Sequence, residues 1–382
     1  MIEKKKGKKK ASSFPIPSYR FDQKNEVFKR ARWDDKIIPY IRQIEQGTHR
    51  DKDGYRHLDF ALKDASWNLE RQFAFGNWRS DSGLYSWEIQ DQAKANETKT
   101  EKQVIEGSPE ELSRIVKKAA LFFGADLVGI CAVHPSWVYS HEFDVMTMEH
   151  HPLELPEGCN NVIAMAVEMD YVTMQSAPTA IAGASTGLGY SRMAFVANML
   201  AAFIRSLGYR AVPAGNDTAL SIPIAMAAGL GDWSRMGLLI TEEFGPRVRL
   251  CKVFTDMPLA HDAYRPIGAV DFCRTCKTCA EFCPSQAISE GDMTEEGPNM
   301  SSHSGIRKWY IDGEKCYSFW AKNGISCSIC IRVCPFNQRP GKIHDLARFM
   351  IRNTTLFNKA LVRLHRILKY GKAFPTERFW KT

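Results

Sequence analysis

Two closely spaced cysteine runs constrain this chain more than any other feature. The first reads Cys273-x2-Cys276-x2-Cys279-x3-Cys283-Pro284. The second reads Cys327-x2-Cys330-x3-Cys334-Pro335, with Cys316 eleven residues upstream in place of its missing first cysteine. At these spacings three thiolates from one tight loop grip three corners of an iron–sulfur cube, and the cysteine before proline reaches across to the neighbouring cube. The pattern predicts two [4Fe–4S] clusters, one on Cys273, Cys276, Cys279 and Cys334, the other on Cys283, Cys316, Cys327 and Cys330. Structural zinc usually joins two Cys-x2–4-Cys pairs, which a triple repeat ending in Cys-Pro fits poorly. A disulfide framework belongs to short secreted domains. The other three cysteines, Cys131, Cys159 and Cys251, sit among apolar neighbours and read as small core residues.

The chain has 382 residues, 44% of them hydrophobic, enough for one large core and a smaller satellite. A two-cube module needs only about seventy residues, which leaves roughly three hundred for something other than carrying electrons. The formal charge is +8, with basic runs at Lys4–Lys10 and between Arg348 and Lys372. No nucleic-acid motif accompanies them, so no nucleic-acid partner is expected, and the N-terminal lysines read as a solvated tail. No apolar run approaches the eighteen or so residues that span a bilayer, and the N-terminus shows neither an apolar signal core nor a twin-arginine pair. The chain as it stands is expected to be soluble.

Residues 1–105 are polar and weakly periodic and are expected to wrap over a larger body. Ser108-Pro109-Glu110-Glu111 is a capping box with proline at the first helical position, predicting a helix to Phe123. Ala125–Ala132, Asn161–Met169 and Arg247–Thr255 read as buried strands, and Ala194–Leu207 and Ala219–Gly229 as helices. This alternation predicts an α+β core over 106–265, a two-cluster domain over 266–340, and a basic amphipathic segment over 341–382 that packs back on the core. Peripheral membrane contact is the lesser expectation for that segment.

The ordered succession Tyr190-Ser191-x-Met193-Ala194, Leu207-Gly208-Tyr209, Gly215-Asn216-Asp217, Ala228-Gly229-Leu230-Gly231 and Leu239-Ile240-Thr241-x-Glu243-Phe244-Gly245-Pro246 precedes the cysteine runs. Lys308-Trp309-Tyr310 stands just before Cys316. Over about residues 108–340 this set resembles the corrinoid-dependent reductive dehalogenases of organohalide-respiring bacteria. The resemblance implies a nitroreductase-like corrinoid-binding core with an inserted bacterial-ferredoxin-like module, and a cobalamin-type cofactor held base-off and fed by the two clusters. It also implies a small halogenated organic substrate, chlorinated foremost, a small hydrophobic membrane-anchor protein, an upstream donor in a respiratory chain, and a place on the outer face of the cytoplasmic membrane. No export signal is read in the residues of this chain, so the place at the membrane rests on the resemblance alone.

The family pattern carries a proton-donating tyrosine onto Tyr190, an assisting amide onto Asn216, and a supporting cation onto Arg249, with Arg247 as its neighbour and competitor. The physics is coherent, because a nearby arginine stabilises a phenolate and lowers a phenol pKa that otherwise lies near 10. His303 and Trp309 are expected near the corrinoid. A dry pocket for a small apolar substrate suggests walls among Phe73, Phe75, Trp78, Trp87, Trp233 and Trp309. Without the resemblance, Tyr190 reads equally as a core tyrosine, Asn216-Asp217 as a turn and Arg249 as a strand-edge residue. Two rival functions stand beside this one. Epoxyqueuosine reductases also join a corrinoid to two cubanes, but would carry a helical-repeat region that the roughly forty residues after Pro340 cannot supply. The other rival is a non-catalytic iron–sulfur electron-transfer subunit.

Overall fold

The Ser108 capping box forms as written. Ser108 Oγ accepts from the Glu111 amide at 3.3 Å and the Glu111 carboxylate from the Ser108 amide at 3.1 Å, opening a helix over Pro109–Phe122. Its buried residues Leu112, Val116 and Ala120 fall on one stripe, which faces the core. The structure is a computed structural model that describes residues 16–46, 50–74, 83–87 and 104–381. Lys4–Lys10, Phe75 and Trp78 lie outside the described residues.

The core is a four-stranded antiparallel sheet in the order β1 (Leu127–Ala132), β4 (Asn161–Glu168), β8 (Val248–Thr255), β5 (Ala211–Ala214). A short hairpin, β2 (His141–Phe143) with β3 (His150–Pro152), and a two-residue pair, β6 (Asp232–Trp233) with β7 (Leu239–Ile240), stand apart from it. Both faces of the central strands are covered. Ile163, Met165 and Val167 of β4 join one apolar cluster, while Val162, Ala164 and Ala166 join the other. Covering on both sides explains why β4 reads as a continuous apolar run instead of an alternating one.

The long helix Ala180–Ser206 lies across one face of the sheet. It begins fourteen residues before the predicted start at Ala194, because packing overrides the low helix propensity of Gly183, Gly187 and Gly189. A Cβ at Gly183 would come within 2.6 Å of Ile325 and one at Gly187 within 2.3 Å of Trp67, so these glycines are where neighbours press closest. By length and composition this helix could cross a bilayer, contrary to the reading that no apolar run comes near that length. Most of its residues are buried between the sheet and neighbouring helices, which makes it the central core helix.

The cysteine runs form short helices, Ala269–Cys276, Thr278–Glu281 and Ile329–Arg332, with Cys316 on the helix Gly313–Asn323. The helices Lys342–Asn353 and Asn358–Ile367 pack against Ala269–Cys276. Of the segment expected to pack back on the core, these two helices lie on the cysteine module. Its last turn does reach back: Thr376 donates its amide to Asp53 at 2.9 Å, and Trp380 its indole N–H to the fully buried Asp59 at 2.9 Å.

Candidate active site and cysteine module

Tyr190 sits mid-way along the long helix and packs at the margin of the core. On β8, Cys251 and Val253 face the helix side of the sheet, and Arg249 shares their side by the two-residue period of a strand. Its guanidinium carbon lies 4.9 Å from the centre of the Tyr190 ring. Asn216, in the turn that leaves β5, donates Nδ2 to the Tyr190 hydroxyl at 2.8 Å. The structure thus brings together the three residues that the resemblance singled out. Asn216 is exposed, so the trio opens to the outside.

Arg247 goes elsewhere. It binds Glu168 at 2.5 Å and the Met169 carbonyl at 2.7 Å and is almost wholly buried, a fastening between strands. Sequence reasoning missed Trp67, whose ring stacks on Tyr190 at 4.9 Å and 23°. Its only advance sign is Gly187, whose missing side chain leaves the space that the indole fills. Glu70 was also missed. It opens a π-helical turn, its amide donates to Ser191 Oγ at 3.3 Å, and its Oε2 is buried without a hydrogen-bond partner. Burial, reinforced by Asp217, pushes its carboxyl up to about 8. Behind Asn216, Lys252 donates to the Gly215 carbonyl and, at 3.1 Å, to Ser221 Oγ, and burial brings its ammonium down to about 8.

Of the aromatic candidates, Phe73 is 54% exposed, Trp87 packs beside the far-side cluster, and Trp233 and Trp309 pack with the cysteine module. Trp309 donates to the Gly291 carbonyl at 3.1 Å and carries the Arg235 guanidinium over its ring at 4.5 Å. His303 is buried, with Nε2 on the Tyr19 carbonyl at 3.0 Å and its ring against Tyr19 and Phe21. Burial lowers its pKa to about 4, so it is neutral.

Cys273, Cys276, Cys279 and Cys334 line one pocket together with Arg235, Phe272 and Phe336. Cys316, Cys327, Cys330 and Cys283 are electrostatic neighbours in a second group, and Cys279 feels Cys330 across the two. Each proline-linked cysteine thus lies with the other run. Burial pushes the Cys273, Cys316, Cys327 and Cys330 thiols up to about 12. Cys283 moves the other way: burial opposes it, but hydrogen bonds from Ser285 and Ala287 bring it down. Buried thiols of this kind ionise when a cation compensates them, which suits iron. The residue after a cysteine, Lys277 in one run and Ser328 in the other, is left-handed at φ 54 and 57, the same loop conformation twice.

A large polar macrocycle needs more than thiols. Both amide atoms of Gln175, Ser185 Oγ, Thr186 Oγ1, Arg332 Nε, Asn337 Oδ1 and Gln338 Nε2 are buried without partners. Each such atom costs about 1–3 kcal/mol if left so. They line the start of the long helix and the second cysteine loop, which meet where Arg332 donates to the Ala177 carbonyl and Ile331 packs on Met169 and Met174. That seam fits a group rimmed with amides, as a corrinoid is.

An antiparallel core with a paired-cysteine module beside it defines an iron–sulfur protein of the α+β class, and residues 272–337 match the family described as "4Fe-4S double cluster binding domain". Over 97% of its length the chain is 34% identical to the tetrachloroethene reductive dehalogenase of Sulfurospirillum multivorans, covering 79% of that protein. The chain belongs to the reductive dehalogenase family. The tetrachloroethene reductive dehalogenase of Desulfitobacterium hafniense is 39% identical over 70% of the chain, which spans 55% of that relative. The fold matches the catabolic reductive dehalogenase NpRdhA with a TM-score of 0.72 at 22% identity, over 94% of this chain and 48% of that one. An epoxyqueuosine reductase of Synechocystis matches over only 33% of the chain.

Proposed function

We propose that this chain is a corrinoid- and iron–sulfur-dependent oxidoreductase that replaces a carbon-bound halogen, chlorine foremost, of a small organohalide by hydrogen. The observation that carries this reading is the meeting of Tyr190, Asn216 and Arg249 at one opening of the core. Gly183, which touches Ile325 two residues before Cys327, lies about 10 Å along the helix from Tyr190 at 1.5 Å per residue. The reaction consumes two electrons and a proton, releases halide and leaves a C–H bond. When bound, the corrinoid supplies a strongly reducing cobalt centre at the substrate.

The chain's own residues supply the rest. Tyr190 gives the proton from its hydroxyl. The Asn216 N–H stays on the oxygen left behind, and Arg249 holds positive charge against the ring, so the phenolate is stabilised before bulk water returns the proton. Trp67 fixes the ring plane by stacking. Cys273, Cys276, Cys279 and Cys334 hold one [4Fe–4S] cluster, and Cys283, Cys316, Cys327 and Cys330 the other. The corrinoid would be held base-off, a reading that rests on the family resemblance. The enzyme works at the outer face of the cytoplasmic membrane with a small hydrophobic anchor protein and a respiratory electron donor. Ile343, Leu346, Phe349 and Ile367, exposed on the basic C-terminal helices, support such a contact.

The test is anaerobic turnover of a halocarbon panel with reduced viologen, comparing the native protein with Tyr190→Phe. Halide release by the native protein and a loss of about a hundredfold or more in the variant are expected. An unchanged rate would remove Tyr190 from its role, and absence of halide from every compound would remove the function.

A further inference from the structure

Away from the core opening, three metal-binding side chains converge where the N-terminal strap crosses the β2–β3 hairpin. The hairpin register pairs Phe143 with His150 and His141 with Pro152, so His141 and His150 are diagonal neighbours on one face. Their rings lie 4.8 Å apart. The strap runs beside β2: Ser140 donates its amide to the Phe21 carbonyl at 2.9 Å, and Asp22 is bridged in parallel to His141. That pairing brings the Asp22 carboxylate to His150 Nε2 at 3.0 Å. One donor atom from each of Asp22, His141 and His150 lies within 4.8 Å of the others.

We propose that Asp22, His141 and His150 bind a first-row divalent transition ion, for which zinc is the probe. Two imidazoles and a carboxylate are the donor set such ions favour, with water completing the coordination. The surroundings suit the task. His141 Nδ1 meets Ser140 Oγ at 3.1 Å, which orients the ring and leaves Nε2 to coordinate. The Lys24 amide holds Asp22 Oδ1 at 2.9 Å, leaving Oδ2 for the ion. His150 is exposed and its partners half-buried, so an ion can enter from solvent. On binding, the His150–Asp22 hydrogen bond gives way to coordination and the ring proton resides on Nδ1.

The ion would fasten more than a hairpin. Beyond Asp22 the strap carries Arg30 to Ser301 and Glu314, and before it Tyr19 and Phe21 enclose His303. It would therefore clamp the strap between the core and the segment that leads to Cys316.

The experiment uses anaerobic protein with its full iron complement, so that the cysteines are occupied, dialysed against zinc sulfate and desalted. About one zinc per chain is expected in the native protein, at least about tenfold less in the double variant His141→Gln, His150→Gln, and equal iron in both. Trypsin cleavage after Arg20 and Lys24 should slow with zinc in the native protein alone. Asp22→Asn, a milder change, should weaken zinc retention without altering the melting profile. Zinc absent from the native protein, zinc kept undiminished by the double variant, or an anomalous zinc signal located on the cysteines would each overturn the proposal.

Discussion

Arg249 reaches Tyr190 through the space that Gly189 leaves: a Cβ on that glycine would stand 2.8 Å from Arg249 Cγ. The helix brings the tyrosine and the strand brings the arginine, and the missing side chain lets the two surfaces close to 4.9 Å. Gly189→Ala should push the guanidinium off the ring. Halide release is expected to fall about tenfold, equivalent to about 1.4 kcal/mol of barrier, while iron and corrinoid contents stay unchanged. A variant with native rate would show that the cation does not act through the ring.

Glu70 gives stability a dependence on pH. Its carboxyl, pushed up to about 8, keeps a proton in the folded chain that the unfolded chain gives up above the ordinary carboxylate range. Folding then binds a proton, so stability declines as pH rises from that range toward 8, by up to about 1.4 kcal/mol per unit. Glu70→Gln should lack this decline. The melting difference between variant and native protein, measured at pH 6 and pH 8, should move in the variant's favour at pH 8. A constant difference would contradict the shifted carboxyl.

The crossed arrangement of the cysteine runs predicts unlike lesions from nearby substitutions. Cys334→Ala, in the second run, should damage the cluster of the first run, because Cys334 shares its cavity with Cys273, Cys276 and Cys279. Cys316→Ala should damage the other. Iron analysis with electron paramagnetic resonance separates the two, and identical spectra from the variants would contradict the crossing.

Arg235 donates Nε to the Cys273 carbonyl at 3.1 Å and Nη1 to the Ser289 and Gly291 carbonyls at 2.6 and 2.8 Å. A buried cation beside a cluster favours its reduced, more negative state. Arg235→Gln should lower the reduction potential of the cluster beside Cys273 more than that of its partner, as read by potentiometric titration. Equal shifts in both would show that the charge is not felt locally.

What the sequence made legible was local or continuous. Fixed cysteine spacing and the apolar runs of β4 and β8 could be read directly, as could the Ser108 capping box. The Tyr190, Asn216 and Arg249 trio was reached through resemblance, since neither spacing nor composition joins residues on a helix, a turn and a strand. Trp67 remained hidden because its contact with Tyr190 spans over a hundred positions of chain. The start of the long helix was misplaced because glycines that read as breaks are sites of close packing. The Asp22, His141 and His150 group depends on a strap pairing that no periodicity announces.

The bonds from Thr376 to Asp53 and from Trp380 to Asp59 join distant stretches of chain on either side of everything between. A molecule fastened in this way is a closed loop in mechanical terms. Parting the cysteine module from the sheet costs that clasp as well, so the two halves should melt closer together, and trimming residues 376–381 should be felt around Asp53 and Asp59.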